Sequence, residues 1–205
     1  MTSLPPDAPC QELVLDQPRE AARRWRMALH AGFCFRIPGG LTVRELLVRD
    51  LGMDPDYVEN RVRTVFLGGR PVDDIDSAHV GHGAQMTLST MLPGVAGITM
   101  GRDNLIATYR TDITYHETAP GQGDGQAVIQ VKLLNFLAPE TGHLFLPRGI
   151  GLDGAGWARV AQAPGLWADT RAARLDGQPV DPAALTPPPD GMVRYVVMPC
   201  APGCA

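Results

Sequence analysis

The chain has 205 residues, of which 44% are hydrophobic, and it carries a formal net charge of −4. This length allows one large packed domain or two domains of about 100 residues. The 18 basic residues are scattered among 22 acidic ones, so no continuous basic surface is expected for a nucleic-acid backbone. No apolar stretch approaches the roughly 20 residues that cross a bilayer, and the first residues lack a signal-peptide pattern. The sequence therefore predicts a cytoplasmic protein that binds neither nucleic acid nor membrane.

The first elements have two interpretations. Residues 25–29 and 33–37 flank Ala31-Gly32 and fit an opening hairpin, whereas the Ala- and Arg-rich composition of 18–30 favours a helix. Thr42 and Glu45 then form a capping box, in which each side chain accepts from the backbone N–H of the other. This pattern predicts a helix from Thr42 with an apolar stripe, and Gly52 is placed for its left-handed C-cap. Asp54-Pro55 repeats the start signal for a short helical turn.

The segment 62–90 predicts strands joined by tight turns. Residues 62–67 are β-branched and aromatic, Gly68-Gly69 supplies positive φ, and 86–90 alternates apolar and polar side chains. A short strand at 70–72 follows the turn. A helix across a mixed sheet would bury its leucines against the two longer strands, and the residues of this predicted core are Leu46, Leu47, Leu51, Val65, Leu67, Met86 and Leu88.

The run 66–74, Phe-Leu-Gly-Gly-Arg-Pro-Val-Asp-Asp, followed by Val80, Gly83 and a strand to Thr90, resembles the second half of ubiquitin. It is similar to the ubiquitin-like β-grasp superfamily, including the sulfur carriers of thiamine and molybdopterin synthesis, and is clearest at 65–90. The resemblance implies an α+β fold in which one helix crosses a mixed sheet. With a Gly-rich break at 116–126, it predicts an N-terminal extension (1–23), a β-grasp domain (24–95), a connecting segment and linker (96–126), a second α+β unit (127–198) and a flexible tail (199–205).

An internal repeat links the two predicted units. Gly69, Pro71, Val72, Asp73 and Gly83 match Gly177, Pro179, Val180, Asp181 and Gly191 at one offset of 108 residues. The match indicates a diverged second β-grasp copy at 127–200, or a hairpin exit that recurs without duplication. In this second unit 128–134 and 144–146 fit a strand pair, although 128–136 also fits a helical period. Asp153 is placed to cap a helix that carries Trp157 and Val160.

Several side chains are candidates for chemistry, and each has a plainer interpretation. The glycines of 121–125 lack the strand, Lys and helix start of a phosphate loop, so a linker is favoured. His79 and His82 near Asp73, Asp74 and Asp76 are metal-ligand types, but a solvated loop is favoured. His116, Glu117 and His143 offer a base and a carboxylate without a recognisable nucleophile turn. Cys10 and Cys34 lie beside apolar residues and are expected to be packing thiols in a reducing compartment.

The C-terminal segment carries the remaining candidates. Two prolines at 199 and 202 exclude a continued helix or paired strand, so the tail is expected to project. Its Pro-Gly203 departs from the terminal Gly-Gly of ubiquitin-like proteins, and Cys204-Ala205 follow it. The resemblance implies that removal of Cys204-Ala205 would leave Gly203 as a conjugatable terminus. The thiols of Cys200 and Cys204 alternatively form a redox pair or half of a metal site.

The sequence favours a non-catalytic ubiquitin-like protein that acts as a protein-interaction module. It assigns no catalytic residue, cofactor or resident metal. The first alternative is a modifier or sulfur carrier activated at Gly203, with an activating enzyme or protease as its partner. The second is an enzyme that uses His116, Glu117 or His143.

Overall fold

A computed structural model describes residues 10–92, 94–102, 113–115, 125–163, 165–181, 184 and 193–197. Contacts divide the chain into two compact units, one of residues 36–137 and one of residues 1–35 together with 138–205. Both are α+β with mixed strand directions, which agrees with the predicted class. Their bounds differ from the predicted domains, because residues of the predicted extension and linker lie inside them.

Ten strands and eight helical segments are described. In chain order the strands are β1 (Cys10–Asp16), β2 (Phe33–Pro38), β3 (Thr64–Leu67), β4 (Arg70–Pro71), β5 (Gln85–Ser89), β6 (Gln126–Leu134), β7 (Ile150–Leu152), β8 (Ala172–Leu175), β9 (Gln178–Pro179) and β10 (Val193–Val197). The α-helices are α1 (Arg26–Ala31), α2 (Pro55–Arg61), α3 (Gly94–Met100), α4 (Leu137–Phe145) and α5 (Gly154–Ala161). Two 3₁₀ helices cover Arg19–Trp25 and Leu146–Arg148, and a π-helical segment covers Glu45–Asp50.

In the 36–137 unit the strand order is β4-β3-β5-β6. β3 is antiparallel to both of its neighbours, and β5 is parallel to β6 in a register that pairs Gln85 with Gln130 and Ser89 with Leu134. The predicted hairpin is confirmed, since Gly68 and Gly69 have φ of +57° and +79° in the turn between β3 and β4. All seven residues of the predicted core are buried.

The start and end of the central helical segment follow the sequence signals. The Thr42 N–H donates to Glu45 Oε2 at 3.1 Å and the Glu45 N–H donates to Thr42 Oγ1 at 3.2 Å, which confirms the capping box. Gly52 adopts φ +69°, as the predicted C-cap requires. Asp54 caps α2 by accepting from the Tyr57 N–H at 3.0 Å, and the helix runs for seven residues, longer than the single turn expected.

Replacing Gly52 with alanine is expected to lower the free energy of unfolding by about 1 kcal/mol, because a Cβ disfavours the left-handed conformation. The added Cβ would meet nothing within 4 Å, so the loss of unfolding free energy would come from backbone strain and not from a steric clash. Gly81→Ala is the matched control, since that position also has open space but no positive φ. Urea unfolding of both variants checks the prediction, and equal midpoints would contradict it.

The other unit has the strand order β7-β10-β1-β8-β9. β1 is parallel to β10, pairing Cys10 with Val193, and antiparallel to β8, pairing Leu13 with Leu175. Cys10–Asp16, which lies within the predicted extension 1–23, is an inner strand of this unit. Leu13 and Leu15 are fully buried on it. Burial of every second residue is typical of a strand. The residues that pair with β1, however, lie more than 150 positions later in the chain.

The structure decides two alternatives left by the sequence and two further predictions. Residues 19–31 are helical, so the predicted opening hairpin is wrong and its helical alternative is confirmed. Residues 126–134 are a strand with alternating burial, whereas 144–146 end α4 and begin a 3₁₀ helix, so the predicted strand there is wrong. Asp153 caps α5 through the Gly156 N–H at 2.6 Å, and Trp157 and Val160 are buried as predicted.

Three strands of the second unit recur at the predicted offset from three strands of the first, but their pairing differs. β8, β9 and β10 start and end 108 residues after β3, β4 and β5. β5 lies directly beside β3, however, whereas β1 lies between β10 and β8. A tandem duplication in the predicted register thus remains a prediction. Within the described residues, no helix is long and apolar enough to cross a membrane.

Candidate functional site

Several predicted site residues lie outside the described residues. They are His116, Glu117, Cys200, Gly203 and Cys204, together with 121–124 of the Gly-rich segment. The processing, thiol-pair and His116-Glu117 hypotheses therefore stay predictions. The side chain of Cys10 is also outside the described part, although its backbone opens β1.

The loop before β5 has its own internal order. Asp74 accepts from the Asp76 N–H at 2.9 Å and from the Ser77 hydroxyl at 2.7 Å, and the Ser77 hydrogen bond holds the pKa of Asp74 below its usual value. His82 Nδ1 accepts from the Val128 N–H at 3.3 Å, and His79 forms a β-bridge with Thr42. No group of three or more His, Cys, Asp or Glu side chains among the described residues is arranged to hold a metal.

Cys34 is buried on β2, in agreement with its predicted role as a packing thiol. Burial, with a smaller contribution from Asp153, raises its pKa to about 11. A thiol with such a pKa is almost entirely protonated at neutral pH, so it is a poor nucleophile and a poor metal ligand.

His143 lies in a pocket between α4 and the 3₁₀ helix Arg19–Trp25. The pocket has a volume of about 610 Å³, and its lining residues are Arg19, Glu20, Ala22, Arg23, Pro139, Glu140 and His143. The two arginines come from one segment and the histidine from another more than 100 residues later. This arrangement brings cationic, anionic and imidazole groups to one cavity.

Burial lowers the pKa of His143, and the positive charge of Arg19 lowers it further. A hydrogen bond with the backbone of Glu140 acts in the opposite direction but is the smallest of the three causes. The imidazole is therefore neutral at pH 7. A neutral imidazole with a lowered pKa takes up a proton more readily when negative charge enters the pocket.

The closeness of α4 to the neighbouring helices depends on Gly142. A Cβ added at this residue would lie 2.5 Å from Leu29 Cδ1 and 3.9 Å from the Ala22 carbonyl oxygen. Because Leu29 is fully buried, it has little room to move away. Gly142 thus lets α4 lie close to Leu29, beside the pocket that Arg19 and His143 line.

A second feature lies in the 36–137 unit, at the carboxyl ends of β5 and β6. Met91 and Phe136 stand two residues beyond the last paired residues of these parallel strands, and their exposed fractions are 64% and 65%. Isolated exposed apolar residues are common on protein surfaces, but two large ones at adjacent strand ends are less so. We refer to Met91 and Phe136 as the apolar pair.

Asn135 fixes the backbone of this pair. Its side-chain amide donates to Ser89 Oγ at 2.9 Å and to the Met91 carbonyl oxygen, which connects the two strand ends. Asn135 itself adopts φ +54°, a conformation that asparagine tolerates better than most residues. The strand ends are therefore held in place while the apolar side chains face solvent.

No protein-family model, no curated protein and no solved structure matches this chain. The function must consequently be argued from the site geometry. The sequence-based reasoning named His143 but missed Arg19, Arg23, Met91 and Phe136. The sequence does contain a signal for Phe136. This apolar residue follows the polar Asn135 just after the predicted strand ends, so an exposed apolar side chain could have been predicted there.

Proposed function

We propose that this protein is a non-catalytic, ubiquitin-like protein-interaction module that binds an apolar surface of a protein partner through Met91 and Phe136. The exposure of these two side chains at linked strand ends is the observation that carries the proposal. Large apolar side chains on a preformed backbone bind with little ordering cost, which is a property of strong contact residues at interfaces.

The strand arrangement of the 36–137 unit supports a β-grasp module. The helical segment Glu45–Asp50 precedes the β3–β4 hairpin, and β5 lies between β3 and a parallel strand. In ubiquitin-like domains the closing strand lies parallel to the opening strand. Here β6, which follows β5 in the chain, occupies that place, and the Gly39 N–H donates to Gly125 O beside its start. The proposed module is therefore a permuted β-grasp.

The other unit supports a diverged second copy in a revised correspondence. In its sheet, β1 lies beside the β8–β9 hairpin and is antiparallel to β8. On its other side, β1 is parallel to β10. In this correspondence β1 takes the place of β5, and β10 takes the place of β6. Helix α5, like Glu45–Asp50, precedes its hairpin in the chain. Superposition of the two units with this correspondence tests the duplication.

Quantitative affinity capture from native extract tests the interaction surface. The wild-type protein is compared with a Met91→Ser/Phe136→Ser double variant, and Met27→Ser is the matched control, because Met27 is 55% exposed on α1. We expect the double variant to lose at least about tenfold of the captured partner, since two anchor residues are each worth 1 kcal/mol or more. Met27→Ser should capture as the wild type does.

Two outcomes would count against the proposed function. One is that the double variant and the wild type capture the same proteins in equal amount. The other is that Met27→Ser loses the partner as severely as the double variant, since a general loss of surface apolarity would then be the cause. Circular dichroism spectra of all variants should match, because the replaced side chains are exposed.

A further inference from the structure

We propose that the pocket between the 3₁₀ helix Arg19–Trp25 and α4 binds the oxyanion group, carboxylate or phosphate, of a small molecule, with Arg19 and Arg23 as its ionic partners and His143 as a hydrogen-bond partner. This inference goes beyond the proposed interaction module and is independent of it. It concerns the unit of residues 1–35 and 138–205.

The two arginines supply the attraction. Within the described part of the chain, neither Arg19 nor Arg23 forms an ion pair, whereas the neighbouring Arg24 is paired with Asp169 at 2.5 Å. Guanidinium groups bind carboxylate and phosphate through two parallel hydrogen bonds, and they remain charged at any physiological pH. Two such groups without ion-pair partners at one cavity are suited to hold one oxyanion.

His143 adds a proton-linked contact. One ring nitrogen of the imidazole is already hydrogen-bonded to the backbone of Glu140, so the second nitrogen donates to an oxyanion only when the ring is protonated. The charged groups that line the pocket are Arg19, Arg23, Glu20 and Glu140. An oxyanion that neutralises Arg19 removes the smaller of the two causes that lower the pKa of His143, and its negative charge also stabilises the protonated ring. Binding is therefore accompanied by proton uptake, and affinity rises as the pH falls towards the pKa of free His143.

The two glutamates of the pocket weaken the binding of a purely anionic ligand. Glu20 and Glu140 oppose an anion, whereas they would attract a ligand that carries a positive group. Glu20 is exposed in the first turn of the 3₁₀ helix, so it is replaceable without loss of fold. Replacing it with glutamine removes the opposing charge and keeps the shape.

The test follows the imidazole resonances of His143 by NMR while sulfate or acetate is added to the full-length protein. Sulfate represents the phosphate class and acetate the carboxylate class, and neither probe titrates near neutral pH. We expect one or both, at millimolar concentration, to shift the His143 resonances and to raise its pKa. The stronger of the two identifies the ligand class. If neither moves the His143 pKa, the proposal is overturned.

Matched variants distinguish binding of the anion in the pocket from a nonspecific effect of added salt on the charges of the protein. Arg19→Gln and Arg23→Gln are each expected to weaken binding by at least about tenfold, the effect of losing a charge-assisted contact. Arg26→Gln should bind as the wild type does, because Arg26 is exposed on α1 and does not line the pocket. Glu20→Gln should tighten binding. A weaker affinity in Glu20→Gln, or an equal loss in Arg26→Gln, would overturn the assignment.

Discussion

Replacing Arg102 with alanine is expected to lower the free energy of unfolding of the 36–137 unit by about 3 kcal/mol, because it leaves two buried carbonyl groups without their charged donor. Arg102 is only 3% exposed. Its Nε donates to Val62 O at 3.0 Å, and one terminal nitrogen donates to Val62 O and to Val58 O, each at 2.9 Å.

These bonds form the C-terminal cap of α2. Val58 lies in the last turn of the helix and Val62 is its C-cap residue. Carbonyl oxygens at the C-terminal end of a helix lack the N–H donors that a continuing helix would supply. A guanidinium placed there also complements the negative end of the helix dipole. The Arg102 side chain thus caps the C-terminus of α2. The backbone of Arg102 is itself held next to the helix end, because its N–H donates to Arg63 O at 2.7 Å.

Urea unfolding and amide exchange measure the effect, and two variants sharpen it. Arg49→Ala is the control, since Arg49 is a mostly exposed arginine whose ion pair with Glu45 is worth roughly 0.5 kcal/mol. Arg102→Lys should recover part of the loss, because an ammonium donates but cannot reproduce the planar fork. Faster exchange is expected for amides between 58 and 67. Equal losses for Arg102→Ala and Arg49→Ala would show that burial of Arg102 does not stabilise the fold.

The parts of the fold that followed from the sequence are those fixed by nearby residues. The Thr42–Glu45 box, the Gly68-Gly69 turn and the Asp153 cap each depend on side chains within a few positions of the backbone they serve. Such signals have fixed spacing, so a single chain reveals them. The hairpin and the buried stripe of the 36–137 unit follow from the same local rules.

The parts that the sequence did not reveal are those that join distant segments. β1 is placed by pairing with β10, from Cys10 to Val193, and nothing in its own seven residues selects that partner. The His143 pocket depends on Arg19 and Arg23. Arginines in a short Ala- and Arg-rich helix are equally typical of an ordinary solvated helix face. Arg102 lies near no sequence motif, because a buried arginine bound to backbone carbonyls has no characteristic spacing.

Replacing Gln17 with leucine is expected to destabilise the unit of residues 1–35 and 138–205 by about 3 kcal/mol, since it removes hydrogen bonds from several buried polar groups at once. Gln17 is 3% exposed and follows β1. Its Oε1 accepts from Trp25 Nε1 at 3.0 Å, and its Nε2 donates to Leu166 O at 2.9 Å and to Thr170 Oγ1 at 2.8 Å.

The network holds the segment 165–170 to the 3₁₀ helix. Trp167 of this segment packs edge-on against Trp25, with ring centroids 6.5 Å apart. It also packs against Trp157, with centroids 5.8 Å apart and the rings tilted by 48°. Leucine has nearly the volume of glutamine, so the substitution leaves the packing and removes the polar contacts. The indole N–H of Trp25 and the carbonyl of Leu166 then remain buried without their partner, which is the origin of the expected loss.

Tryptophan fluorescence reports this change directly, because all three tryptophans belong to this unit. Urea unfolding followed by fluorescence should show the lower midpoint, and the indole N–H of Trp25 should exchange faster with solvent. Gln162→Leu is the matched control, since Gln162 is exposed at the end of α5 and its loss should change stability by less than about 0.5 kcal/mol.

A double-variant cycle tests whether the network acts as one unit. Thr170→Val removes the hydroxyl that accepts from Gln17, so the loss in Gln17→Leu/Thr170→Val should be smaller than the sum of the two single losses. The reason is that each single variant already breaks the same hydrogen bond. Strict additivity would mean that the hydrogen bond between Gln17 and Thr170 contributes no coupling free energy, and that Gln17 stabilises the unit through Trp25 and Leu166 instead.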